Sequence, residues 1–199
     1  VGVGARVLVL LSCAVLLGSG GCTSDAELAE ASFSAEHEDA RARVWIPINE
    51  PRSIGTYRVD VSWSDGTSDR AEGQRDGMVA SVWLADLTGD DAPEAVVAVS
   101  SAGSGTYGSV HVYGRRGDEL SRLQVGALTD SQSVGYMGHD VFSIGDGRLW
   151  RSYPIYREGD TNAAPSGGEA RFWYSFSDGR WVADDEDADL GNAVWRCEF

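Results

Sequence analysis

Tyr57, Val59, Val61 and Trp63 alternate with Arg58, Asp60 and Ser62. A period of two sends successive side chains to opposite faces, so this stretch is predicted as a half-buried strand. Similar apolar stretches of strand length recur at 78–84, 95–99, 109–113, 120–125, 140–144, 148–156 and 170–176, with a shorter one at 180–182. Between them stand turn signals: Ser64-Asp65-Gly66, Arg115-Arg116-Gly117-Asp118, Gly145-Asp146-Gly147 and Ser177-Asp178-Gly179. No segment after Arg43 has the 3.6 period of an amphipathic helix. Short strands at this spacing predict an all-β chain, a single antiparallel β-sandwich or barrel domain of about eight strands over residues 44–183.

Composition narrows the function classes. All 16 basic residues are Arg, against 31 Asp and Glu, for a formal charge of −15. A chain this acidic repels phosphate instead of releasing its counterions, which argues against a nucleic-acid partner. With 42% hydrophobic and 24% charged residues, the chain can build a core and is not disordered throughout. The 25 Gly and the 7 Trp and 7 Tyr suit strands and tight turns.

The N-terminal stretch reads as an address label. Arg6 precedes an 11-residue apolar run, Val7 to Leu17, too short to span a bilayer but suited to a secretory signal core. Gly18-Ser19-Gly20-Gly21-Cys22 follows and resembles a bacterial lipoprotein signal, although Ser19 stands where Leu is usual. That resemblance implies cleavage after residue 21, a lipid on Cys22, and, with Thr23 next, a periplasmic domain anchored to the outer membrane of a Gram-negative cell. An ordinary cleaved signal with a Cys22–Cys197 bridge is the alternative. Loss of 1–21 removes one Arg, so the exported charge would be 15 − 31 = −16. Residues 22–43, rich in Ala, Glu and Ser, are expected to be an acidic flexible tether, and 184–199 an acidic solvated tail.

Several motifs could carry chemistry. Gly103-Ser104-Gly105-Thr106-Tyr107-Gly108 spells GxGxxG, but a dinucleotide site needs a helix to follow, and residues 109–113 alternate as a strand. The acidic stretch from Asp86 to Glu94 places oxygen ligands at alternate positions, as a hard cation prefers. It resembles the calcium loop of FG-GAP-type β repeats, which implies Asp86, Thr88, Asp90 and Glu94 as side-chain ligands and Ala92 as a carbonyl ligand. It departs from that pattern at Thr88 and at Asp91, where Gly is usual, and it occurs once. A tight acidic turn that binds nothing is the plainer alternative. No His pair has ligand spacing, and no nucleophile–base pair is visible, which argues against an enzyme.

The loop Ser100 to Gly108 carries three Gly within its last six residues, allowing unusual backbone angles and close approach of another surface. It presents Ser104, Gly105 and Tyr107 on a narrow protrusion. This loop, with Gly135-Tyr136-Met137-Gly138-His139-Asp140 and the segment from Tyr156 to Gly168, resembles the periplasmic inhibitors of invertebrate-type lysozyme. The resemblance implies a β-sandwich whose Ser-Gly-x-Tyr loop enters a lysozyme cleft, with Ser104 and Tyr107 as the inserted residues. A lysozyme is then the protein partner, a membrane is met only through the N-terminal lipid, dimerisation is left open, and no cofactor is required beyond a candidate Ca²⁺. The rival from another class is a calcium-stabilised cell-surface β module that binds glycan or protein.

Overall fold

The computed structural model describes residues 28–184. The signal segment 1–21, Cys22, Cys197 and the tail from 185 onward lie outside the described residues. Twelve strands follow one another, and no helix occurs among the described residues: β1 (Leu28–His37), β2 (Ala40–Pro47), β3 (Gly55–Trp63), β4 (Ser68–Arg75), β5 (Met78–Ala85), β6 (Glu94–Ser100), β7 (Gly108–Arg116), β8 (Glu119–Val125), β9 (Val141–Gly145), β10 (Arg148–Pro154), β11 (Glu169–Ser177) and β12 (Arg180–Ala183). The expected all-β class holds, with more strands than the eight or so expected.

The strands form a four-stranded sheet, β1-β2-β3-β4, and an eight-stranded sheet, β5-β6-β7-β8-β12-β11-β10-β9. The first packs on the β5–β8 half of the second, and the second curls until β9 lies beside β7. The β5–β8 layer therefore has a core on each face. Ala95, Val97 and Val99 of β6 join Tyr57, Val59 and Val61 on one side, while Val96 and Ala98 join Leu149, Tyr153 and Phe172 on the other. A strand buried on both faces has no polar side, which is why β6 reads as a continuous apolar run instead of an alternation. In β5 a bulge between Val79 and Ser81 lets Val79 and Val82, three apart, reach the same core.

Three expectations are corrected. Residues 28–43, assigned to a tether, form β1 and the first half of β2. Ala40, Ala42 and Val44 point inward between Arg41 and Arg43, so small Ala residues carry the inward face. The pairing is also not wholly antiparallel: β8 leaves β7 after the Val112–Leu123 pair and continues parallel to β12 through Arg180–Gln124 and Trp181–Val125. Asp184, assigned to the tail, is tied down by its N–H donating to the Trp173 carbonyl and by a carboxylate that accepts from Ser175 and Arg148.

One polar cluster lies inside the core. The Tyr57 hydroxyl bonds His111 Nδ1 and, at 2.7 Å, the Tyr113 hydroxyl. Gly73 of β4 makes room for it, since a Cβ there would stand 2.3 Å from the Tyr57 ring and 2.5 Å from the Tyr113 oxygen. Burial, aided by Arg122, lowers the His111 pKa to about 4, so the ring is neutral near pH 7.

Candidate functional site

The β6–β7 hairpin, the 126–140 connection and the 155–168 connection meet at one end of the curled sheet. Within the hairpin, Ser101 N–H donates to the Tyr107 carbonyl and Thr106 N–H to the Gly103 carbonyl, closing a tight turn. The turn's positive φ belongs to Thr106, at 40°, and to none of the loop glycines. Gly105 and Gly108 serve close approach instead, while Gly103 faces open space. A Cβ on Gly105 would lie 2.6 Å from the Tyr107 ring and 3.1 Å from the Met137 carbonyl, and one on Gly108 would lie 2.5 Å from the Asp140 side chain. Of the two uses that glycine offers, this loop takes the second.

The tip is accessible. Tyr107 is 50% exposed, and Ser104 is exposed too. Neither hydroxyl makes a hydrogen bond among the described residues, so both can serve a partner. The Tyr107 ring stands edge-on to Tyr136, 5.6 Å between centroids, and Met137 beside it is 42% exposed.

Beneath the tip sits a buried ion pair. Asp140 and Arg151 meet at 2.6 Å with side chains 0% and 10% exposed. The second Asp140 oxygen accepts from Gly108 N–H at 2.6 Å and from Tyr136 O–H at 2.6 Å, and Arg151 also donates to the Tyr136 oxygen at 2.9 Å. A buried pair is tolerable only when its remaining donors and acceptors are met, and these are. The network joins the root of the hairpin to the 134–140 turn. Burial, reinforced by the Asp140 hydrogen bond, raises the Tyr136 pKa, so its hydroxyl stays a donor.

The third connection completes the arrangement. Asn162 Nδ2 donates to the Ser104 carbonyl at 2.9 Å, and His139 N–H to the Gly105 carbonyl at 2.6 Å. The His139 ring bridges Asn162 Oδ1 at 3.1 Å and Thr106 Oγ1 at 3.0 Å. Tyr156 N–H donates to the Gly135 carbonyl, and Tyr156 O–H to the Asn162 carbonyl. Sequence reasoning singled out the loop, expected His139 only to make a turn or strand-edge hydrogen bond, and gave no role to Asp140 or Asn162.

The acidic loop is organised differently. Asp86 accepts from Gly89, Asp90 and Asp91 N–H, and Glu94 accepts from Leu87 N–H, Thr88 N–H and Thr88 O–H. Asp90 caps Ala92 N–H. Asp91 takes a φ of 65°, which explains why Gly is usual there. Burial raises the Glu94 pKa to about 6. Among the described residues no group of three His, Cys, Asp or Glu converges as a metal would need. Asp86, Thr88, Asp90, Ala92 and Glu94 thus form one turn whose carboxylates face its own donors.

Residues 42–135 match the family described as periplasmic lysozyme inhibitor of I-type lysozyme. The solved structure of PliI-Ah from Aeromonas hydrophila, a periplasmic lysozyme inhibitor of I-type lysozyme, is 28% identical over 47% of this chain and 86% of its own, with a TM-score of 0.42. Aeromonas hydrophila PliI in complex with Meretrix lusoria lysozyme is 31% identical over 43% of this chain and 75% of its own, with a TM-score of 0.38. A Xanthomonas type IV secretion system related protein aligns with 82% of this chain and 83% of its own at 14% identity and a TM-score of 0.44, too remote a likeness to carry an argument. No curated protein matches. On the sequence identity and the family match, this chain is a non-catalytic binding protein and belongs to the periplasmic lysozyme inhibitors of I-type lysozyme.

Proposed function

We propose that this chain inhibits an I-type lysozyme by inserting the hairpin tip, Ser104-Gly105-Thr106-Tyr107, into the enzyme's substrate cleft. The observation that carries this is the pair of unengaged hydroxyls, on exposed Ser104 and half-exposed Tyr107, at the tip of a loop that is held from behind. Glycosidases of this kind commonly work with two carboxyl groups on either side of the scissile bond. Two O–H donors reaching those groups, with a ring occupying the sugar's place, would block substrate without any chemistry by the inhibitor. A formal charge of −15 favours encounter with a cationic enzyme.

The same proposal puts the domain in the periplasm, held at the outer membrane by a lipid on Cys22. Titrating the domain against lysozymes of the invertebrate, chicken and goose types in a cell-wall clearing assay tests it. Inhibition of the invertebrate type is the expected result. Full activity of that enzyme at inhibitor concentrations far above its own would overturn the proposal.

A further inference from the structure

We infer that Asn162 is a positioning residue for the inhibitor loop. Its side-chain amide clamps the Ser104 carbonyl and, through the His139 ring, the Thr106 hydroxyl, so that the tip meets its target already shaped. This rests on the proposed insertion of the loop and names what sets its geometry.

With the His139 ring neutral, the hydrogen-bond chemistry permits one consistent assignment. Asn162 Nδ2 is a donor, and it faces the Ser104 carbonyl at 2.9 Å. That leaves Oδ1 as an acceptor toward His139 Nε2 at 3.1 Å, so Nε2 carries the proton. Nδ1 is then the acceptor for Thr106 O–H at 3.0 Å. The chain of bonds fixes a side chain and a carbonyl on opposite sides of Gly105, whose own carbonyl is held by His139 N–H. Gly138, with φ of 92°, makes that approach possible, because a Cβ there would lie 2.0 Å from the Gly105 oxygen.

The clamp itself is anchored. The Tyr156 hydroxyl holds the Asn162 carbonyl, and the Asp160 carboxylate gathers Arg157 N–H, Ser166 N–H and the Ser166 hydroxyl around the same turn. Thr106 sits in the left-handed region at φ 40°, which a non-glycine residue keeps only when its surroundings enforce it. Asn162 and His139 supply that enforcement from segments 56 and 33 residues further along, taking 162 − 106 and 139 − 106. An ordered tip avoids the entropy that a loose loop surrenders on binding.

The test uses Asn162→Ala and Asn162→Asp. The Asp variant keeps an acceptor for His139 and loses the donor to Ser104, so it should behave as the Ala variant does. In the free variants, backbone amide order parameters at Gly105, Thr106 and Tyr107 should fall from about 0.85 toward 0.6, with β6 and β7 unchanged. Against an I-type lysozyme, Kd should rise about tenfold with the melting temperature unmoved. Added to the Ser104→Ala/Tyr107→Ala pair, Asn162→Ala should cost nothing further. Loop amides that stay rigid in the free variants would overturn the inference, as would an undiminished tenfold loss in the Ser104→Ala/Tyr107→Ala background, which would mark Asn162 as a direct contact. If the wild-type domain binds no lysozyme, the proposed function falls, and the order parameters alone decide the role of Asn162.

Discussion

Tyr107→Ala measures how much of the binding resides in the tip. A tyrosine side chain can bury about 150–250 Å², and half of Tyr107 is exposed, leaving roughly 100 Å² for a partner to cover. At about 25 cal/mol per Å², that area contributes about 2.5 kcal/mol, or on the order of a 70-fold change in Kd. The loss should fall mainly on the dissociation rate, since the encounter is set by charge that the substitution leaves alone. Tyr107→Phe separates ring from hydroxyl: it keeps the area and forfeits one hydrogen bond, worth about 1.5–3 kcal/mol if the acceptor is an ionised carboxylate. Within the free protein the Ala variant loses an edge contact with Tyr136, worth about 1 kcal/mol, so it should remain folded. Surface-immobilised lysozyme with the inhibitor in flow gives both rates. A folded Ala variant whose Kd stays within threefold of wild type would show that the ring is not inserted.

Asp140→Ala should lower stability by about 3–5 kcal/mol, because it strands buried Arg151 and leaves Gly108 N–H and Tyr136 O–H unmet; the denaturant midpoint reads it, and a loss below about 1 kcal/mol would contradict the ion-pair assignment. His111 predicts acid sensitivity. Its folded pKa near 4 lies below the ordinary 6.5, so the unfolded chain takes the proton first, and stability is lost as pH falls from 6.5 toward 4. The full shift corresponds to about 3 kcal/mol as an upper bound. Buried Glu94, raised to about 6 from 4.5, works the other way, its contribution being greatest below 4.5 and lost as pH rises through 6. His111→Gln should therefore flatten the fall in melting temperature between pH 7 and pH 5, and an unchanged slope would refute the assignment. Calcium against chelator should leave the melting temperature unmoved, since the Asp86 and Glu94 oxygens already meet N–H and O–H donors; a rise of several degrees with Ca²⁺ would give the acidic loop a metal.

Most of the β framework was legible because alternation reports a half-buried strand directly. It failed where the inward residues are not recognisably apolar. β2 alternates Ala40, Ala42 and Val44 with Arg41 and Arg43, a regular period of two whose inward side chains are mostly too small to register. In β4 only Gly73 and Arg75 are fully buried. Its place comes from β3 and from across the core, where Tyr57 and Tyr113 need the space that Gly73 leaves. Arg75 is sustained by the carbonyls of Pro51, Arg52, Thr56 and Gly77, none of which a local pattern could assign to it. The parallel pairing of β8 with β12 is likewise a matter of which edges meet once the sheet has curled.

The candidate site divides along the same line. A tip that contacts a partner must be local, because one hairpin delivers it, so Ser104 and Tyr107 could be picked out from a few adjacent residues. What makes the tip stiff cannot be local. A loop between Ser100 and Gly108 can close only its own backbone bonds, Ser101 to Tyr107 and Thr106 to Gly103, and both join the hairpin's two arms to each other without tying them to the rest of the domain. Resistance to sideways motion has to come from other segments, and it does: Asp140 at the root, His139 at Gly105, Asn162 at Ser104. These donors and acceptors are common residue types in glycine-rich turns, and nothing in their spacing marks them until β9 and β10 bring the turns together. A protruding inhibitor loop should in general be easier to recognise by its tip than by its buttress, and substitutions at the buttress should change its affinity without removing any contact with the target.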